Sequence, residues 1–162
     1  MPEAKWKFVG QRTAALNAFL ERVKREVPSA RIECAGFVPY REVAGHLQAA
    51  GLGIVPYEES TGTHCAFVAK IVEYLGVGLP VVSTRLKSAS TYFANEPTVA
   101  FTAFEGVEFG RAILKALRNP LPNQNELART ASARVKRELD WRAICRKAVQ
   151  FTEEAVKQHA GK

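Results

Sequence analysis

Lys70 and Glu73 stand three residues apart in a stretch, Ala66 to Gly76, whose apolar residues Val68, Ile71, Val72 and Leu75 recur at helical spacing. A cation and a carboxylate one helical turn apart share a side. The preceding segment, Tyr57 to Thr63 (YEESTGT), is polar and reads as a loop. Ser60, Thr61, Gly62 and Thr63 are small, so a ligand can approach the backbone closely there. A lysine in the first turn of a helix faces the positive end of the dipole, which is mildly unfavourable, and a bound anion reverses that. Lys70 would then meet a diphosphate, and Glu73 would accept hydrogen bonds from both hydroxyls of a ribose. The same pair also fits a plain surface contact at i,i+3, worth roughly 0.2–0.5 kcal/mol. Spacing alone leaves both readings open.

Positioning these residues takes a layered frame. Trp6 to Gly10, Arg31 to Phe37, Gly51 to Pro56, Pro80 to Thr84 and Thr98 to Thr102 are short apolar runs read as strands. Between and after them, Arg12 to Val27, Tyr40 to Ala50, Ala66 to Gly76, Phe104 to Arg118, Gln124 to Glu138 and Trp141 to His159 read as helices. Pro28 stops the first, and Asp140 is placed to N-cap the last. Strands alternating with helices imply an α/β, Rossmann-like parallel sheet with helices on both faces and a C-terminal helical tail. The expected body is residues 1–120, with helices of residues 121–162 packed on the same domain. Ligands in such sheets bind outside the carboxyl ends of the strands. Four segments fall there: the Gly10 turn, the Gly36 to Arg41 turn, the Tyr57 to Phe67 junction and the Thr84 to Ser90 turn.

The chain has 162 residues, enough for one ordinary domain without disulfide or metal support. Cys34, Cys65 and Cys145 are odd in number and far apart, with no CxxC or Cys/His cluster. A reducing, cytoplasmic setting is expected, with no metal and no cofactor. No signal peptide is evident, and no apolar run approaches the ~20 residues of a membrane span. The formal charge of +7 permits an anionic partner. Part of the excess is local: Glu126 to Lys147 holds seven basic residues against three acidic ones. That face either lies against an acidic membrane, at its inner side, or is solvated. No aromatic-plus-basic recognition pattern supports a nucleic-acid partner.

The string FVAKIVEYLGVGLPVVST (67–84) resembles the P-x-K-x-x-E-Y-x-x-x-G-x-P-V-V segment of retaining glycosyltransferases of the GT-B fold, group 1 or family 4. Lys70, Glu73, Tyr74, Gly78, Pro80, Val81 and Val82 carry the match. GFVPY (36–40) is similar to the family's G-x-V-P turn, and GLGIVPY (51–57) to its A-D-V-x-V-x-P strand, in family order. The resemblance covers about residues 5 to 118, and bacterial glucuronosyltransferases of exopolysaccharide synthesis are similar members.

The resemblance implies the donor-binding half of a glycosyltransferase using a nucleoside-diphosphate sugar, UDP-linked by preference. Glu73 would hold the ribose. Lys70 would stabilise the leaving diphosphate, with no other catalytic group in this half. The Phe37–Val38–Pro39 turn would hold the base. Backbone groups near Thr61, Gly62 and Thr63 would face the phosphates, Tyr57 and His64 would lie at the donor, and Gly10 with Arg12 would stand where many members have a phosphate-binding turn. Cys65 occupies the position, eight residues before Glu73, where many members carry a second glutamate; Glu58, Glu59 or His64 are the candidate substitutes. The acceptor-binding N-terminal domain or subunit lies outside this chain, and the resemblance adds a third reading of the basic tail helices, in which the last helix crosses to that other domain. The alternative is a non-catalytic nucleotide-binding or regulatory module of the same fold. His46 is expected near a core edge, and Trp141 is expected to anchor the last helix.

Overall fold

The computed structural model describes residues 4–160; the expected body from residue 1 and tail to residue 162 both run past that range. In chain order the elements are β1 (Lys5–Val9), α1 (Ala14–Glu26), β2 (Arg31–Gly36), α2 (Tyr40–Gln48), β3 (Gly53–Val55), α3 (Thr61–Cys65), α4 (Ala69–Gly76), β4 (Val81–Thr84), α5 (Lys87–Tyr92), β5 (Val99–Thr102), α6 (Gly106–Arg118), α7 (Gln124–Leu139) and α8 (Trp141–Ala160). The strands pair in parallel in two ladders, β1-β2 and β3-β4-β5. The expected α/β class, with parallel strands, surrounding helices and a helical tail, is the one observed. Two compact units divide the chain, Met1–His46 and Leu47–Lys162.

In the first unit, Thr13 caps α1 by accepting a hydrogen bond from the Leu16 N–H at 3.1 Å. Lys5 and Lys7 of β1 both pair with Glu33 of β2, and their hydrogen bonds hold its carboxyl below the usual range. β2 ends at Gly36, whose φ of +74° is left-handed. That bend starts the Phe37 to Pro39 turn. The Gly10 N–H donates to the Gly36 carbonyl at 2.9 Å, so the ends of both strands are tied at one edge.

The second unit contains the hydrophobic core. β4, the middle strand, is buried along its whole length because its Val-Val-Ser-Thr residues face packed layers on both sides. Val55, Ile71, Leu75, Val81, Leu86 and Phe93 centre the core, with Ala131 and Val135 of α7. Ile71 and Leu75 are 0% and 1% exposed and seat α4. Burying each contributes roughly 1.5–3 kcal/mol, several times what a surface ion pair on the same helix supplies. Packing, not charge pairing, therefore sets the azimuth of α4. Gly53 has no room for a side chain: a Cβ there would lie 2.3 Å from the Tyr74 ring. α4 closes in a Schellman motif, with the Leu79 N–H on the Tyr74 carbonyl (2.9 Å), the Gly78 N–H on Leu75 (2.9 Å) and Gly78 at φ +79°. Ser132 of α7 satisfies a further helix-end carbonyl, Gly76, at 2.7 Å.

α7 is also held through Arg134. Its guanidinium lies 3.6 Å from the buried Glu96 carboxylate and 3.3 Å from Glu138, over the Tyr92 ring at 5.7 Å. Glu96 is further satisfied by the Thr98 hydroxyl at 2.7 Å. Hydrogen bonds from Arg137 and Arg134 lower the Glu138 pKa.

Three expectations are corrected. The segment 61–65, read as part of a loop and junction, is the helix α3, because Ser60 and Thr63 form a reciprocal capping box that nucleates a turn. The next helix begins at Ala69 rather than Ala66, since Ala66 to Val68 are extended between the two helices. Trp141 does not anchor the last helix: it is 75% exposed, whereas Ala143 is the residue of α8 that packs inward. α5, too short to show periodicity, begins at Lys87 inside the expected Thr84 to Ser90 turn and runs to Tyr92. Asp140 caps α8 as expected, accepting from the Arg142 N–H at 2.9 Å.

Gly78→Ala forces a Cβ into left-handed backbone. It should cost about 1–2 kcal/mol, read as a lowered urea midpoint at unchanged slope, and Gly78→Asn should cost less. Equal stability of Gly78→Ala and the natural chain would contradict the helix-end geometry.

Candidate functional site

β3, β4 and β5 run parallel, so their carboxyl ends share one edge, and the chain leaves each toward a helix that starts there. Side chains lock this edge together. Thr84, the last residue of β4, donates its hydroxyl hydrogen to the Tyr57 carbonyl at 3.0 Å. Ser88 of α5 donates to the Ala66 carbonyl at 2.6 Å. The Lys87 N–H at the start of α5 donates to His64 Nδ1 at 3.2 Å, and the His64 ring stands edge-on to Phe104 with centroids 5.5 Å apart. Short polar bonds thus fix the ground around the start of α4.

Lys70 is in the first turn of α4, and Val68 at its N-cap makes no side-chain cap bond. The first backbone N–H groups of the helix therefore have no side-chain acceptor, and Lys70 stands beside them. Lys70 is exposed and does not pair with Glu73. Its Nζ donates to the Tyr57 hydroxyl at 3.1 Å, 5.1 Å from the ring centroid. The i,i+3 surface pair left open by the spacing is not formed. Glu73 is half-buried, and among the described residues its carboxylate has neither an ion pair nor a hydrogen-bond donor. A cation held by an aromatic hydroxyl and an unpartnered carboxylate one turn on can together engage a ligand bearing an anion and a diol. Tyr74, next to Glu73, is pushed to a higher pKa, first by burial and then by the charge of Glu73.

Thr61, Gly62 and Thr63 lie within α3, where Thr63 is committed to capping: its one hydroxyl hydrogen has the Glu58 carbonyl at 2.8 Å and the Ser60 carbonyl at 3.0 Å as acceptors, and its oxygen accepts from the Ser60 N–H. His64 is engaged through both ring nitrogens, Nδ1 accepting from Lys87 and Nε2 facing Glu59 at 3.4 Å. That requires the proton on Nε2. Cys65 and Glu58 are exposed. The remaining candidates, Gly10, Arg12, Val38 and Pro39, belong to the first unit. Gly10 adjoins Gly36 through the backbone bond above; Arg12 Nε donates to the Asn17 side chain at 3.1 Å; Val38 is half-buried; and Pro39 is exposed beside Phe37, itself 81% exposed. His46 is half-buried in the last turn of α2, as its position on the helix suggested.

Sequence reasoning did not find the partners that shape this edge. Tyr57 and Lys70 meet across thirteen residues, and His64 and Lys87 across twenty-three. No periodicity reports such pairs. A groove of about 720 Å³ opens at the opposite, amino-terminal edge of β4, between Gly76–Gly78 and Arg129, Ser132 and Lys136 of α7. Volume alone would point there, but none of the candidate donor-binding residues lines it.

The family described as Glycosyl transferases group 1 matches residues 1–119. The chain belongs to that family. It is also 29% identical over 123 residues to a Bacillus subtilis (strain 168) protein provisionally named a teichuronic acid biosynthesis glycosyltransferase, TuaH. The match covers 74% of this chain and 29% of that protein, so the chain spans well under half of its relative's length. In this glycosyltransferase-family chain the matched residues include both ladders and the whole of α4.

Burial raises the Tyr74 pKa, so the fold holds its phenol neutral. A raised folded-state pKa stabilises below the ordinary value, here 10.0, and that stability is lost as pH rises through and beyond it. Tyr74→Phe keeps the ring over Gly53. It should change neutral-pH stability little and flatten the decline above pH 10, followed as urea midpoint against pH. An unaltered alkaline decline would show that Tyr74 is not its source.

Proposed function

We propose that this chain is the donor-binding half of a GT-B glycosyltransferase, which takes a sugar from a nucleoside-diphosphate sugar, UDP-linked by preference, and passes it to an acceptor hydroxyl in polysaccharide or glycoconjugate synthesis. The observation that carries the reading is that Lys70, held by Tyr57, and Glu73, unpartnered among the described residues, stand one turn apart at the start of α4, on the carboxyl edge of a parallel ladder, in a chain of this family. The relative's name, which speaks of teichuronic acid biosynthesis, fits a polysaccharide product. Three cysteines without a disulfide fit a cytoplasmic setting.

In this mechanism Tyr57 stores Lys70 close to the phosphate position. An exposed cation–aromatic contact is worth about 0.5–1 kcal/mol, whereas a charged hydrogen bond to phosphate contributes about 1.5–3 kcal/mol. The exchange therefore favours the ligand. Charge then grows on the diphosphate as the sugar leaves, and Lys70 with the N–H groups beginning α4 stabilises it. Glu73 holds the ribose by two charge-assisted bonds. The acceptor comes from a second domain or subunit, so residues 1–162 alone bind nucleotide and do not transfer sugar. No metal or cofactor is assigned a part.

Calorimetry with UDP, GDP and ADP tests this. UDP should bind tightest. Lys70→Ala should weaken UDP binding, and the loss should shrink as salt rises. Glu73→Ala should cost more than Glu73→Gln, at about 1.5–3 kcal/mol for each charged bond removed. 2′-Deoxy-UDP should already have lost part of what Glu73→Ala removes, making the two changes less than additive. Unchanged UDP affinity in both Lys70→Ala and Glu73→Ala would sink the proposed site, and transfer by the chain alone would sink the division of labour.

A further inference from the structure

The groove at the amino-terminal edge of β4 takes no part in the donor site, and its lining has a chemistry of its own. Its volume of about 720 Å³ is that of a small-ligand site. Gln48, the turn Gly76 to Gly78 and one face of α7 line it, all within the second unit. The four cations of α7 divide into two sets. Arg134 and Arg137 pair with Glu96 and Glu138. Arg129 and Lys136 line the groove, are exposed, and make no ion pair among the described residues. Seven residues separate them, which sets them on one face about 10 Å apart. Ser132 and Ala133 lie between them, too small to hold a ligand away from either.

The groove's acceptors are already used. The last four carbonyls of α4, from Glu73 to Gly76, accept from the N–H groups of Val77, Leu79 and Gly78 and from the Ser132 hydroxyl. A helix end attracts cations through free carbonyls, and this one has none to spare. No acid lines the groove. Glu138 is on the opposite side of α7, tied to its arginines. Glu126 is turned about 60° from Arg129 around the helix, and it pairs with neither groove cation. Asn125 and Gln48 add side-chain amides without a hydrogen-bond partner among the described residues. Open donors, filled acceptors and two separated cations suit an anion with negative groups at both ends.

We propose that this groove is a binding site for an extended, acceptor-rich dianion whose two negative groups reach Arg129 and Lys136 together. An oligosaccharide bearing carboxylates has that chemistry, and so has a nucleoside-diphosphate sugar whose sugar is acidic. Trigalacturonate and UDP-glucuronate are the two probes, with maltotriose as the uncharged comparison. UDP-glucuronate is offered to the Lys70→Ala/Glu73→Ala chain, so that its binding at the other edge does not interfere and the two sites fail separately. In the unsubstituted chain, amide resonances of Val77, Gly78 and Ala133 should move and saturate with trigalacturonate, and those of Lys70 and Glu73 should not. Maltotriose should leave all of them in place. Affinity should fall as salt rises. Arg129→Gln and Lys136→Gln should each weaken binding about fivefold. Ala133→Glu sets a carboxylate within reach of both cations at i−4 and i+3, and should weaken it at least about tenfold. Lys147→Gln, which removes a cation outside the groove, should change nothing. Saturable binding of either probe at these resonances supports the proposal and identifies the source of the dianion. Binding of neither overturns it. So does binding that Ala133→Glu leaves intact, or that Lys147→Gln weakens as much as Arg129→Gln does, since diffuse charge would then account for it.

Discussion

Parallel pairing of β3, β4 and β5 is the constraint on which the candidate site depends. Parallel neighbours cannot be joined by a hairpin, so the chain must return from one end of the ladder to the other, and it does so in helices. Every helix that returns the chain therefore begins at the strands' carboxyl edge. Unsatisfied N–H groups and positive dipole ends gather on one side of the ladder before any side chain is chosen. α4 begins there, and so do Lys70 and, one turn on, Glu73.

Packing then decides what these residues can do. Ile71 and Leu75 fix the rotation of α4 in the core, and the Tyr74 ring fills the space that Gly53 leaves open. With the apolar face seated, Lys70 and Glu73 are left on the rest of the helix. Lys70 turns to Tyr57, which Thr84 in turn holds through its carbonyl. The carboxylate of Glu73 keeps its acceptor capacity. The nearby hydroxyls do the reverse: Ser60 and Thr63 satisfy each other and the backbone, building α3 as a firm wall rather than an open cradle.

The other edge of the ladder is closed differently. Gly78 reverses the chain after α4, Ser132 accepts the task of satisfying Gly76, and Arg134 ties α7 to the buried Glu96 and to Tyr92. α7 thereby contributes Ala131 and Val135 to the core and leaves α8 attached at its start, through Ala143.

Much of this was legible in the chain itself. Among the described residues apolar runs marked each of the five strands, periodicity marked the long helices, and the 67–84 string placed Lys70 and Glu73 on one helix side in a recognisable family pattern. Those features are local or strictly periodic, so residue order contains them. α3 and α5 were missed because five or six residues show no period, and because a capping box competes with an open loop for the same Ser and Thr residues. Trp141 was misjudged because the sequence shows that a helix is amphipathic but not which side meets the protein. Only tertiary packing chose Ala143 as that side, set Tyr57 rather than Glu73 against Lys70, and bound His64 to the start of α5, since each joins groups whose separation along the chain or around a helix leaves no trace in residue order.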